Sequence, residues 1–417
     1  MTHMQRLPAV PPPLPVVLSA RRPKVFLYSH DTFGLGHLRR NLAIATELLD
    51  GPEPFQVSLL TGSPVIDSWR VPRGLHVQPL PPVVKTGAET YAARDPGSCF
   101  PLVKGYREAL MLKLVLRHRP DILLVDHAPA GMNGELLATL ALIRNELPGT
   151  RAVLGLRDIL DGPEAVAKIW AAQDIHALLD HAYDDILVYG ARRMFDVAEA
   201  YGLSAKAAAK LRYTGHVVGR PAGGSGAVCW NPARAGARKV VLVTAGGGGD
   251  GFALMEAYLA ALRLLPAGTV HSVILTGPLM APEQATLLRA AAARRADIEL
   301  VERTTDLLPS LAAADAVVAM AGYNTSAELI SCRARALLVP RAAPRAEQRL
   351  RAELLARLGL AIHVPPGEGL VERLAAALPA LLAAPRPDGS GFDLNGAARV
   401  RGFLAGRSLA LLAGRAA

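Results

Sequence analysis

Cysteine, aromatic residues and long apolar runs are all scarce in this chain, and each scarcity excludes a class of protein. Of 417 residues three are cysteine, Cys99, Cys229 and Cys332, so at least one thiol stays unpaired and none stands at metal-ligand spacing. A disulfide framework is excluded, and a reducing cytoplasm is the expected compartment. Phe, Trp and Tyr make up 5% of the residues and interleave with no basic run, which argues against a nucleic-acid partner. No apolar run approaches the roughly 20 residues that span a bilayer. Residues 1–23 are basic and proline-rich without a cleavage pattern, and read as a disordered leader.

Several motifs are missing too. The chain has no Walker A lysine, no H-E-x-x-H, no G-x-S-x-G and no C-x-x-C. Asp-x-Asp is also absent, so no metal is expected and any diphosphate must be held by amides, helix dipoles and basic side chains. What is present is a 51% hydrophobic composition that can bury sizeable cores, and a net charge of +10 that favours anionic partners such as nucleotides, phospholipid headgroups or acidic glycans.

From Lys24 the chain alternates strands and helices. Strands fit Lys24–Ser29, Gln56–Leu60, Leu75–Gln78, Asp121–Asp126, Ala152–Leu156 and Asp185–Tyr189. Helices fit His37–Leu49, Leu102–Arg117, Asn133–Asn145, Pro163–His181 and Ala205–Leu211, with a long loop over His76–Ser98. A glycine- and proline-rich linker covers residues 217–238. The pattern restarts with strands at Lys239–Thr244, His271–Thr276, Ile298–Val301, Ala316–Met320, Ala336–Val339 and Ala361–Val364, and a last helix covers Ala397–Ala413. Near-continuous apolar strands between amphipathic helices imply parallel sheets covered on both faces. Two doubly wound, Rossmann-like α/β domains follow, residues 24–216 and 239–395, with residues 396–417 returning to the first.

Candidate site residues fall just past the carboxyl ends of strands, where such sheets bind ligands. Gly246–Gly251 satisfies G-x-G-x-x-G, but the next strand ends Leu275-Thr276-Gly277 without the acid that a dinucleotide ribose needs. Contact with a phosphate, a tight turn and NAD binding are all open for it. Gly34 and Gly36 permit close approach to a helix start whose first turn holds His37, followed by the cations Arg39 and Arg40, which oppose the helix dipole unless an anion or carboxylates offset them. Asp31 and Asp126-His127 end apolar strands and suit general-base work or a turn. Asn324, Thr325 and Glu328 open a helix after Ala316–Met320. Thr325-x-x-Glu328 fits a capping box, while a carboxylate there equally fits ribose hydroxyls.

Three stretches resemble the GT-B glycosyltransferases of the family 28 type, the peptidoglycan N-acetylglucosaminyltransferase-like enzymes, in a branch of predicted glycosyltransferases. They are SHDTFGLGHLRRNLAIA, VTAGGGGDG and AGYNTSAELISCRARALLVPRAAPRAEQ. The resemblance implies a metal-independent, inverting transfer of a hexose-type sugar from an NDP-sugar, a UDP-sugar foremost, with no further cofactor. Gly246, Gly247 and Gly248 would line the diphosphate, with Asn324 and Thr325 near the phosphates and Glu328 on the ribose. Thr304 and Leu307 would border the base, and Glu347 and Gln348 would meet the donor sugar. His37 would be the base, with Asp126 or Asp31 behind it, and Gly34, Gly36 and His127 would face the acceptor. A carbohydrate or lipid-linked acceptor, polysaccharide biosynthesis and peripheral contact with the inner face of the cell membrane are implied. The alternatives are an NDP-sugar epimerase or hydrolase, and a non-enzymatic nucleotide-sugar-binding protein.

Overall fold

The computed structural model describes residues 21–31, 35–87, 90–219, 227–304, 306–343 and 345–416, so Gly34, most of the expected leader and part of the expected linker lie outside the described residues. Strands in the first half are β1 (Lys24–Ser29), β2 (Gln56–Thr61), β3 (His76–Pro79), β4 (Val83–Lys85), β5 (Tyr91–Ala93), β6 (Ile122–Asp126), β7 (Arg151–Arg157), β8 (Asp185–Tyr189) and β9 (Leu211–Tyr213). Those in the second are β10 (Lys239–Thr244), β11 (Val270–Leu275), β12 (Ile298–Val301), β13 (Ala316–Ala319), β14 (Ala336–Leu338) and β15 (Ile362–His363).

Runs such as KVVLVT in β10 are apolar on both faces because helices cover both, and each run pairs in parallel with its neighbours. The first sheet has the order β3-β2-β1-β6-β7-β8-β9 and the second β12-β11-β10-β13-β14-β15. Both orders reverse beside their first strand, between β1 and β6 and between β10 and β13. Those switch points open crevices at the strands' carboxyl ends.

Local differences from the sequence reading have local causes. The expected loop His76–Ser98 contains a short antiparallel hairpin, β4 with β5, too brief for a periodic signal. The expected helix Pro163–His181 breaks into Pro163–Ala172 and Ile175–His181, because Asp174 takes a left-handed conformation with φ +49°. Asn133 does not start a helix; it lies in a 3-10 turn with φ +49°, and the helix runs over Leu137–Glu146. The tail of the expected leader is tied down, since Arg21 donates to Asp121 at 2.6 Å.

The two halves interlock. The Gly396–Ala416 helix buries Ala397, Val400 and Leu404 in a core with Leu38, Ile44 and Leu48 of the Gly36–Asp50 helix. Tyr323, from the second domain, sits in that same core and accepts a hydrogen bond from the Val217 amide at 2.9 Å. Arg351 Nη2 donates to Asp158 Oδ1 at 2.9 Å and Nη1 donates to the Ala321 carbonyl at 3.1 Å. The Ala346 amide donates to Asp161 Oδ1 at 2.7 Å.

Arg351 and Asp158 are both buried, and the arginine outweighs burial to hold the Asp158 carboxyl well below its usual range. Arg351→Ala strands that carboxylate, so it should destabilise the protein by about 3–5 kcal/mol in urea unfolding at pH 7. Because the folded pKa is depressed, the pair's contribution is present above about pH 4 and lost as pH falls further. The gap between variant and wild type should therefore narrow in acid.

Candidate active site

The first domain's half of the site forms at the β1/β6 switch point. His37 lies in the first turn of the Gly36–Asp50 helix, and Asp126 is the last residue of β6. The fold brings them together, with His37 Nδ1 2.6 Å from Asp126 Oδ2. Arg40, one helical turn on, donates to the same carboxylate from Nε at 2.9 Å and from Nη2 at 2.7 Å. Burial would raise the Asp126 carboxyl, but Arg40 and His37 outweigh it and hold it at about 2. An ionised Asp126 accepts from Nδ1–H, which leaves Nε2 as the basic nitrogen of the ring. Burial, reinforced by Arg40 and Arg157, outweighs Asp126 and brings His37 down to about 4, so the ring is neutral at pH 7.

Two more histidines pack around it. Ring centroids stand 5.6 Å apart for His30 and His37, and 5.0 Å for His37 and His127. His127 holds a left-handed backbone, φ +71°, where the chain turns off β6. Burial puts both neighbours well below the usual histidine value, helped by His37 beside His30 and by Arg157 beside His127. Asp31 does not join the pair. Its Oδ2 accepts from the Thr61 hydroxyl at 2.5 Å, and burial pushes it up to about 6. His30, Lys85, Tyr91, His127, Trp170 and Arg345 line a small pocket of about 70 Å³.

The second domain's half forms at the β10/β13 switch point. Gly246 and Gly248, after β10, have φ of +66° and +89°. A Cβ at Gly248 would lie 2.0 Å from the Thr276 carbonyl, so this glycine is demanded by loop packing. A Cβ at Gly246 would face Thr325 Oγ1 at 3.6 Å, and Gly247 accepts from the Leu279 amide at 2.9 Å. The helix beyond β13 spans Tyr323–Ser331 with Gly322 at its N-cap and no side-chain cap bond. The capping box is therefore not formed: the helix starts two residues before Thr325, which leaves Thr325 and Glu328 inside it. Its first-turn amides, those of Asn324 and Thr325 among them, point out of the helix end toward the glycine loop side.

Glu328 instead reaches across the domains to an ion pair between its Oε1 and Arg39, and its buried Oε2 has no partner among the described residues. Both cations at the first helix start are thus offset by carboxylates, Arg40 by Asp126 and Arg39 by Glu328. Asn324 Nδ2 donates to the Gly36 carbonyl at 2.9 Å, joining the two helix starts. Between them runs a cleft of about 1080 Å³ whose walls include Arg39, Trp69, Gly246, Thr304, Leu307 and Glu328. Thr304 spends its hydroxyl on the Asp306 carbonyl at 3.0 Å. Glu347 and Gln348 begin the helix after β14. Arg341 Nη2 donates to Glu347 Oε1 at 2.5 Å, and its amide donates to Gln348 Oε1 at 3.1 Å. Glu347 Oε2 is buried without a partner among the described residues, and Arg341, Arg157 and Arg351 outweigh burial to lower its pKa.

Sequence reasoning missed Arg157, which ends β7, and Asp158 and Asp161 just beyond it. The strand-end rule applied to β7 finds them. It also missed Tyr323, over whose ring Arg40 stands at 5.5 Å and Arg351 at 5.8 Å. No local pattern signals that contact.

Residues 240–387 match the glycosyltransferase family 28 C-terminal domain. No curated protein matches the chain. Among solved structures, the glycotransferase of kitacinnamycin is 18% identical over 94% of this chain and 96% of its own, with a TM-score of 0.60. MurG of Acinetobacter baumannii is 14% identical over 92% and 99%, with a TM-score of 0.56. A UDP-glucosyltransferase from Polygonum tinctorium, solved with 3,4-dichloroaniline, is 13% identical over 94% and 95%, with a TM-score of 0.57. These likenesses establish the fold as GT-B.

The three histidines set a pH dependence. Unfolded, each titrates near 6.5; folded, each is lowered, so the unfolded chain binds more protons as pH falls below about 6.5. Melting temperature should drop between pH 7 and pH 5. In NMR titrations the His37 ring should stay neutral down to about pH 4, and Arg40→Met should move that titration upward.

Proposed function

We propose that the chain, whose second domain matches the glycosyltransferase family 28 C-terminal domain, is a glycosyltransferase that moves a hexose-type sugar from a UDP-sugar to a glycan or lipid-linked hydroxyl, with inversion and without a metal. The observation that carries this is the His37–Asp126 pair directly across the interdomain contact from Glu328, with Gly36 and Asn324 bonded between them.

The donor lies along the second domain. Gly246, Gly247 and the helix start at Asn324 and Thr325 receive the diphosphate. Glu328 offers its unpartnered Oε2 to a ribose hydroxyl, while Arg39 already engages Oε1. Thr304 and Leu307 wall the base end of the cleft, and Glu347 Oε2 with Gln348 meets the sugar. His37 Nε2 takes the proton of the acceptor hydroxyl, and Asp126 stabilises the imidazolium that forms. The acceptor oxygen bonds to the anomeric carbon as the bond to the β-phosphate oxygen breaks. The leaving UDP is held by amides and the helix dipole.

Among the described residues no helix is long and apolar enough to cross a membrane. A peripheral contact with the inner face of the cell membrane is supported by one stripe of the Phe100–His118 helix, where Leu102, Tyr106 and Leu116 are 75%, 60% and 47% exposed. Lys113 and Arg117 are exposed on the same helix and suit anionic headgroups.

His37→Ala and Asp126→Asn should each lower kcat by about 10²–10⁴-fold, and His37→Ala should leave UDP affinity within about twofold. Steady-state rates and calorimetric UDP titration separate the two quantities. Loss of UDP affinity in His37→Ala, or stoichiometric free sugar or an epimer from the UDP-sugar without acceptor, contradicts the transferase mechanism.

A further inference from the structure

Arg157 closes β7 at the sheet edge where β1 and β6 deliver Asp31 and Asp126. Its sequence neighbours are committed to the domain interface, Asp158 to Arg351 and Asp161 to the Ala346 amide. The Arg157 guanidinium makes no hydrogen bond or ion pair with the described residues, and its Nε is buried without a partner among them. The surrounding cations are paired differently. Arg40 is held by Asp126 and Arg351 by Asp158, Arg341 by Glu347 and, at 3.4 Å, by Asp250, while Arg345 lies 3.9 Å from Asp161.

Arg157 is partly exposed, so its guanidinium reaches the crevice while its Nε is buried. Burial, with Arg40, Arg351 and Arg345 nearby, outweighs Glu347 and pushes Arg157 down to about 10. Its place in the fold locates it: β7 pairs with β6, which carries Asp126, and the residues just beyond Arg157 hold the second domain through Arg351 and the Ala346 amide. The diphosphate has its own place at the glycine loop and the Tyr323–Ser331 helix start. A planar fork of donors, left open where the two substrates meet, matches a carboxylate or a phosphate.

We propose that Arg157 is the receptor for an oxyanion, separate from the donor diphosphate, that one substrate carries at the reacting junction. The source is a carboxylate on the transferred sugar or an acid group on the acceptor. The inference rests on the donor placement given above.

Calorimetric titration of UDP, UDP-glucose and UDP-glucuronate, and of sulfate with saturating UDP, tests it on wild type, Arg157→Met, Arg157→Lys and Glu328→Ala. If the sugar carries the acid, UDP-glucuronate binds wild type about 10-fold or more tighter than UDP-glucose, the worth of one charged hydrogen bond. Arg157→Met then erases that difference and leaves UDP unchanged, and Arg157→Lys keeps part of it. If the acceptor carries it, the two sugar nucleotides bind alike, and sulfate binds the UDP complex saturably with a Kd that Arg157→Met raises about 10-fold. Indifference of both arms to Arg157→Met overturns the proposal, as does an equal loss of UDP affinity, which would put Arg157 on the diphosphate. The ligand-free Arg157→Met protein should melt close to wild type, since no ion pair or hydrogen bond of the guanidinium is lost; a marked drop would make Arg157 structural. UDP affinity that ignores Glu328→Ala would refute the donor placement instead, without reference to Arg157.

Discussion

The site depends on one guanidinium. Arg40 lies buried between the domains, bonded to Asp126 and standing over the rings of Tyr189 and Tyr323 at 5.6 and 5.5 Å. Burying that charge is tolerable only because Asp126 is ionised beneath it and the aromatic faces lie beside it. The same pairing keeps Asp126 a carboxylate, and an ionised Asp126 fixes the tautomer of His37. Tyr323 is one residue from Asn324, so the interaction that orients the proposed base also seats the helix start proposed to face the diphosphate. The two halves of the candidate site are thus held in one register by a single packed contact.

That arrangement explains why the interface is so rich in arginine. Each domain alone presents strand ends and a helix start, which are sites for anions. Closing two such edges on each other brings positive potential against positive potential, and the fold offsets it with carboxylates drawn from across the gap. Arg39 meets Glu328 and Arg351 meets Asp158 across the gap, while Arg341 meets Glu347 of its own domain. Arg157 is a cation at this edge whose guanidinium has no such partner among the described residues. The remaining positive potential suits the anionic leaving group of the proposed transfer.

Much of the fold was legible because parallel, doubly covered strands advertise themselves as short apolar runs, and KVVLVT or ILLVD could be nothing else. The two glycine loops marked the first strand of each domain. The β4–β5 hairpin and the break at Asp174 were not legible, since three-residue strands and one left-handed residue leave no period. At the site, the strand-end rule reached His37, Asp126 and Glu328, and the oddity of two cations at a helix start pointed to carboxylates nearby. It could not say which carboxylates. Asp126 is far along the chain from Arg40, and Glu328 lies in the other domain. The capping box was misleading for a related reason: Gly322 and Tyr323 extend the helix backward because Tyr323 is packed into the other domain's core.

The central claim is that the second switch point binds a nucleotide through Glu328. Calorimetric titration of UDP, GDP, ADP and dTDP into wild type and Glu328→Ala tests it most directly. The account predicts saturable binding of UDP in preference to the others, weakened about 10-fold or more by Glu328→Ala, as expected when a charged hydrogen bond to ribose is lost. Absence of binding by every nucleotide, or a UDP affinity indifferent to Glu328, would contradict it.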